Sequence, residues 1–151
     1  MGDLWHEACV QYAWPIRFMP MELQNLVPPM NVLIVEDHED TRHVLERFLS
    51  RKGYDVTIAD NVQNGLTLLQ TNRFEAIVSD IMLPDGTGYG LMSEARRHGV
   101  KTLAIALTAY GYPAEVNEPK LTGFDFHLRK PIDCEKLVAI LETARASEDK
   151  P

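Results

Sequence analysis

Five side chains stand out as a set that could do chemistry together: Glu36, Asp37, Asp80, Thr108 and Lys130. Each closes a short apolar run. Glu36-Asp37 follow NVLIV, Asp80 follows EAIVS, Thr108 follows TLAIAL, and Lys130-Pro131 follow FDFHLR. Three carboxylates brought within about 5 Å of one another repel strongly at any plausible dielectric. Either their pKa values rise, or a cation sits among them. Donors that are all oxygen, in an open and wet mouth, favour Mg2+ or Mn2+ over zinc. A carboxylate beside such a cation is a competent nucleophile toward a phosphoryl group. That transfer asks a protein mainly for positioning and for positive charge on the equatorial oxygens. Lys130 would add a second positive charge. Thr108 would add a hydroxyl that reaches a new phosphoryl group but not the bare carboxylate, a difference able to bias two conformations of the surrounding loops.

The set matters only if the elements behind it converge. Asn31–Glu36 is an apolar, β-branched run of strand length. Residues 40–52 then place Val44, Leu45, Phe48 and Leu49 at helical spacing, with Gly53 as the stop. Residues 54–59 alternate as a strand, and 61–70 return to helical spacing through Val62, Leu66 and Leu69. The unit repeats with a strand at 75–79, a turn rich in Pro84, Asp85, Gly86 and Gly88, and a helix at 89–98 closed by Gly99. A fourth strand spans 102–107, and a short helix is expected between Pro113 and Leu121, weakened by Pro119. The fifth strand covers 124–129. The last helix covers 134–145, with Asp133 as its N-cap and Leu137, Val138 and Leu141 facing inward.

Strands and helices alternating in this way call for a parallel sheet covered on both faces. Right-handed crossovers leave few topologies, and the expectation is an α/β, flavodoxin-like, doubly wound five-stranded sheet of order 2-1-3-4-5. Ligands of such sheets gather beyond the carboxyl ends of the strands. The five side chains lie at those ends.

Composition narrows the class. With 151 residues, 45% hydrophobic and 25% charged, the chain has room for one ordinary globular domain with a proper core. The formal net charge of -7 argues against direct nucleic-acid binding, which demands clustered Lys and Arg. The two cysteines, Cys9 and Cys134, are far apart and fit no metal-ligand spacing. The longest apolar stretch, Leu103 to Leu107, is too short to insert into a membrane, and Asp3 and Glu7 sit where a signal peptide would want a basic start. A cytoplasmic location is the expectation. The pattern divides the chain into an irregular extension at 1–29, a regular domain at 30–146 and a tail at 147–151. Trp5, Trp14 and Phe18 of the extension either dock on the domain or on a second copy, or belong to a loosely attached arm.

Each chemical residue also has a plainer reading. Asp80 alone could cap a turn, Glu36-Asp37 could cap the first helix with Asp40, Thr108 could be a turn residue and Lys130 a surface lysine. Their joint appearance at four strand ends, in order, is hard to produce by chance.

VLIVEDHED, IVSDIMLPDGTGYGLM, ALTAYG and GFDFHLRKPI together resemble the receiver domain of two-component response regulators, over about 30–146, and are closest in pattern to receivers of hybrid histidine kinases. The resemblance implies Asp80 as phosphoacceptor, Thr108 as switch hydroxyl and Lys130 as the cation paired with the phosphate. It implies Mg2+ held by Asp37, Asp80 and the Met82 backbone carbonyl, with Glu36 acting largely through water, and a cis Lys130-Pro131 bond. It implies a sensor histidine kinase or histidine phosphotransfer protein as donor and an unknown downstream protein as target.

Departures from the family pattern carry expectations of their own. The aromatic switch position, three residues before the lysine, is His127, whose charge would make the switch pH-sensitive. Pro119 would make the fourth helix short or irregular. Met82 and Tyr110 would crowd attacking water and lengthen the life of the phosphoryl group. Two rivals remain. An aspartate-nucleophile phosphatase of similar topology needs an acid two residues after the nucleophile, where Met82 stands. A degenerate receiver would act only as an interaction surface, which the intact set of Asp37, Asp80, Thr108 and Lys130 disfavours.

Overall fold

Side chains alternate across a strand, so a strand apolar at every position must feed two cores. A computed structural model, which describes residues 21–24, 27–109 and 123–148, has this arrangement. A short helix α1 (Met21–Gln24) precedes β1 (Asn31–Val35), α2 (Glu39–Arg51), β2 (Asp55–Ala59), α3 (Val62–Thr71) and β3 (Ala76–Asp80). There follow a hairpin of β4 (Met82–Leu83) and β5 (Gly86–Thr87), then α4 (Gly88–Arg97), β6 (Leu103–Thr108), β7 (Phe126–Arg129) and α5 (Cys134–Glu148). The main sheet runs β2-β1-β3-β6-β7 with every pairing parallel. This is the expected doubly wound order, with β6 and β7 as its fourth and fifth strands. The expected helix between Pro113 and Leu121, with Pro119 and Tyr110, lies outside the described residues, as do Trp5, Cys9, Trp14 and Phe18.

Two cores follow from the alternation. Val32 and Ile34 of β1 join Val78, Ile105, Leu107 and Leu128 beneath Leu45 and Leu49 of α2 and Leu137 and Leu141 of α5. Leu33 and Val35 join Ile77, Ala104 and Ala106 beneath Leu91, Met92 and Ala95 of α4. On α3 the fully inward residue is Gly65, where a Cβ would stand 2.8 Å from Leu91 Cδ1. One expected core residue is misplaced: Val44 is 61% exposed. The inward stripe of α2 runs through Leu45 and Leu49, one turn apart, with Phe48 packed at its margin. Val44 falls on the far side of that margin. Val138 is only partly buried, whereas Leu137 and Leu141 are fully so.

Local chemistry sets the element ends. Gly53 and Gly99 take φ of +89° and +83° just after α2 and α4, the left-handed conformation that terminates a helix at little cost for glycine. Asp133 accepts from the Glu135 and Lys136 amides at 3.1 Å each and caps α5. Asn61 and Thr87 cap α3 and α4 in the same way.

Candidate functional site

The register brings the strand ends level. Val35 pairs with Ser79, Asp80 with Leu107, and Thr108 with Arg129, so the residues that follow share one rim. The Lys130 amide donates to the Thr108 carbonyl at 2.8 Å and continues the β6–β7 pairing by one residue. The Lys130-Pro131 bond is cis, in agreement with the expectation.

Lys130 ties the rim together. Its Nζ donates to Glu36 Oε2 and to Asp80 Oδ2, both at 2.9 Å. Glu36 is wholly buried and Asp80 nearly so, at 7% exposure. The remaining oxygens are held by backbone: Glu36 Oε1 accepts from the His38 amide at 3.1 Å, and Asp80 Oδ1 from the Met82 amide at 3.2 Å. The Asp37 side chain, about one-third exposed, lies with Oδ1 3.5 Å from His38 Nδ1. Burial drives the Glu36 carboxyl above the usual range, against the pull of Lys130 and the His38 amide. For Lys130 burial acts to lower the ammonium, but the hydrogen bonds to Asp80 and Glu36 outweigh it and the net shift is upward. The repulsion expected among the acids is thus relieved partly by a neighbouring ammonium and partly by an easier protonation of Glu36.

The donor chemistry fits a hard divalent cation. Three carboxylates against one ammonium leave two formal negative charges at the rim, and the donors on Glu36, Asp37 and Asp80 are all oxygen. Among the described residues, one set offers three possible ligand atoms all within 4.8 Å of one another: Glu36, Asp37 and His38. His38 had not been expected there.

His127 lies beside Ala106 in β7 and faces the α4 core, with its ring 5.9 Å from Phe124 and 6.4 Å from Tyr89. Burial lowers its pKa, so the imidazole is neutral at neutral pH and its titration moves toward acid. Met82, two residues past Asp80, is 69% exposed.

The supporting contacts of three residues escape sequence reasoning, which places Asp85 and Gly88 only in a turn. Arg42 Nη1 donates to the Glu36 carbonyl at 2.8 Å and the Asp37 carbonyl at 3.3 Å, clamping the acidic turn from the first turns of α2. Gly88 lies against the phosphoacceptor candidate, and a Cβ there would stand 2.4 Å from the Asp80 carbonyl oxygen. Asp85, at the hairpin tip, accepts from the Val62 and Gln63 amides at 2.7 and 3.0 Å, which also hold its carboxyl below the usual range. The only sequence signals were a basic residue five after Asp37 and a glycine-rich turn.

Residues 32–142 match the family model of the response regulator receiver domain. The chain is 34% identical over 115 residues to an uncharacterised 14.6 kDa protein in the sodA1 3' region of Leptolyngbya boryana, covering 75% of this chain and 88% of that protein. It is 34% identical over 114 residues to the transcriptional regulatory protein CusR of Escherichia coli K12, covering 76% of this chain and 50% of CusR. Of such longer regulators the chain spans about half the length. Its fold superposes on the chemotaxis response regulator CheY4 of Vibrio cholerae with a TM-score of 0.71 at 29% identity, covering 77% of this chain and 98% of that one. The receiver domain of Francisella response regulator 1452 gives a TM-score of 0.73 at 26% identity, covering 80% and 99%.

Proposed function

The chain belongs to the response regulator receiver domain family of two-component signalling, and from that membership we propose that Asp80 accepts a phosphoryl group from a phosphohistidine on a sensor histidine kinase or histidine phosphotransfer protein. The observation that carries this reading is the pair of 2.9 Å bonds from Lys130 Nζ to Glu36 and Asp80. An oxygen of Asp80 attacks phosphorus, the phosphorus–nitrogen bond breaks, and the electron pair leaves with the donor imidazole. Lys130 keeps Glu36 and transfers its second bond from Asp80 to a phosphoryl oxygen. Thr108, at the end of the adjacent strand, donates its hydroxyl to another phosphoryl oxygen.

Asp37, Asp80 and the Met82 backbone carbonyl would hold Mg2+ (or Mn2+), with Glu36 acting through water, and the ion would supply positive charge against the equatorial oxygens. The new contacts of Thr108 and Lys130 exist only after phosphorylation, which is what lets the modification bias one loop arrangement. His127, packed against Tyr89 and Phe124, is the switch side chain that responds when Thr108 moves. The output is a protein-interaction surface for a downstream protein, without direct nucleic-acid contact. The domain is taken to span 30–146, preceded by an extension at 1–29, although α5 runs on to Glu148, past the expected boundary.

The module performs its own phosphorylation and turns over no separate substrate. A cytoplasmic location follows from the chemistry of its donor, and among the described residues no helix is long and apolar enough to cross a membrane. Incubation of the full chain with acetyl phosphate and Mg2+, read by mass spectrometry, tests the proposal. A mass gain of one phosphoryl group, absent in Asp80→Asn, supports it. Sustained hydrolysis of a range of phosphate esters favours an enzyme instead.

A further inference from the structure

A chemically unstable pair of residues sits in the first turn of α3, beneath the contact that Asp85 makes there. Of the asparagines in the chain, only Asn64 is followed by glycine. Glycine has no Cβ to shield its amide nitrogen, so an Asn-Gly pair is the one most prone to cyclise through attack of that nitrogen on the side-chain carbonyl. Packing demands the glycine. Gly65 is buried, and a Cβ on it would stand 2.8 Å from Leu91 Cδ1 and 3.3 Å from Val35 Cγ2. Asn64 itself is exposed, where water reaches it.

The same turn is built to stop the reaction. Gly65 N donates to the Asn61 carbonyl at 3.1 Å, and the helical backbone holds that nitrogen away from Asn64 Cγ. Asn64 Nδ2 donates to Asp60 Oδ1 at 2.8 Å, and the Asn64 amide donates to Asn61 Oδ1 at 2.8 Å. The two amides before it, of Val62 and Gln63, are held from outside the helix by the Asp85 carboxylate. The first amides of a helix have no partner within it, so withdrawal of an external acceptor frays the turn.

We propose that Asn64-Gly65 is a deamidation site whose rate is set by Asp85, slow while the hairpin holds the start of α3 and fast once it lets go. The chemistry is independent of phosphoryl transfer at Asp80. In the opened turn the Gly65 amide loses its proton to solvent base, and its nitrogen bonds to Asn64 Cγ. The Cγ–Nδ2 bond breaks, and Nδ2 takes up a proton and leaves as ammonia. Water then adds to either carbonyl of the five-membered imide, giving aspartate or isoaspartate. One water enters, one ammonia departs, and no electrons are exchanged. The aspartate product replaces a donor by an acceptor opposite Asp60 Oδ1, so a hydrogen bond becomes a repulsion between carboxylates. Isoaspartate adds a methylene to the backbone, and the turn cannot close again in register. Either product alters the groove that Arg42, Asp60 and Asn64 line between α2 and α3.

Incubation of the full chain in mildly alkaline buffer, with peptide mapping by mass spectrometry, tests the proposal. The unit mass gain of deamidation should localise to Asn64 and be absent from Asn64→Gln. Asp85→Ala is expected to speed it about fivefold, the size of one lost helix cap, and to speed hydrogen exchange of the Gly65 amide by the same factor. Arg96→Met, weakened at the far rim with the Asp85 contacts intact, is expected to stay within about twofold of wild type. Equal rates in wild type and Asp85→Ala overturn the proposal. So does an equal acceleration by Arg96→Met, which would place control in global unfolding, or a mass gain at Asn61 or Asn72 instead. If Asp85→Ala does not fold, wild type in sub-denaturing urea decides the matter. There the deamidation rate must follow exchange of the Gly65 amide, and a rate that follows the amides of β1 and β3 overturns the proposal.

Discussion

The two rims of the sheet use the same residue types to opposite ends. At the carboxyl rim, Glu36 and Asp80 share one ammonium, and Asp37 stands beside them. At the amino rim two acids meet fixed backbone donors. Glu75 accepts from the Asn31 amide at 2.6 Å, and Asp125 accepts from the Ala104 amide at 2.8 Å. Arg96 reaches Asp125 as well, while its guanidinium grips the carbonyls of Gly123 and Val100. The Glu75 and Asp125 carboxylates bond the amides of neighbouring strands, and their work is to align those strands. A carboxylate held by a lysine side chain shares a donor that can be passed to something else. The amino rim is thus held by fixed backbone donors, whereas the carboxyl rim gathers three carboxylates around a lysine whose side-chain bonds can be passed on.

The sharpest challenge to this contrast is steric. Gly88→Ala drives a methyl group into the Asp80 carbonyl, 2.4 Å away, and backbone must move to admit it. A loss of about 3 kcal/mol is expected in denaturant titration. A loss below about 1 kcal/mol would show that the turn beneath Asp80 yields easily, and that the carboxyl rim is softer than described.

Exchange of the cations comes next. Lys130→Met strands two buried carboxylates, and about 2 kcal/mol of stability is expected to be lost, discounted for the partial exposure of the lysine. Millimolar Mg2+ should restore much of the loss, because the ion replaces the missing charge. Arg96→Met at the other rim should cost about 1–2 kcal/mol through its carbonyl bonds, with no response to Mg2+. If the melting temperatures of both variants respond alike to the ion, the two rims do not differ in their need for a cation.

A smaller effect is expected from His127. Its folded pKa is lowered from 6.5 by burial, so the unfolded chain binds the proton more readily. The stability this group contributes is complete above the unfolded pKa and is lost as pH falls below it toward the folded value. Wild type should therefore lose more stability than His127→Phe as pH falls from about 7.5 to about 5.5. Parallel pH profiles would remove the histidine from the account. The same direction bears on the expected pH-sensitive switch: the charge change is displaced to the acid side of neutrality, so at pH 7 to 8 the ring acts as a neutral aromatic.

Much of this was legible beforehand, for definite reasons. The strand order followed from apolar runs alternating with helical periods, and the rim residues followed because parallel sheets collect them at strand ends. Val44 was misjudged because a four-residue apolar cluster on a helix covers more than one face, and only packing decides which part turns inward. The contacts of Arg42, Gly88 and Asp85 were invisible, beyond the place of the last two in a turn, because their partners are backbone atoms, which a sequence does not display. The two hydrogen bonds of Lys130 to Glu36 and Asp80 are hidden for a related reason: the family pattern points to a phosphate partner, and sequence does not display which carboxylates the ammonium meets without one.

Asp85 has one further consequence. By holding the first two amides of α3 it turns the stretch between Asp80 and Gly88 into a strut of fixed length, bolted at its tip to another element. An insertion or deletion there would release the start of that helix as well as reshape the turn. A loop transplanted from a relative would need to bring an acceptor to the same point, so engineering of this segment is constrained from a distance by a helix it does not adjoin in sequence.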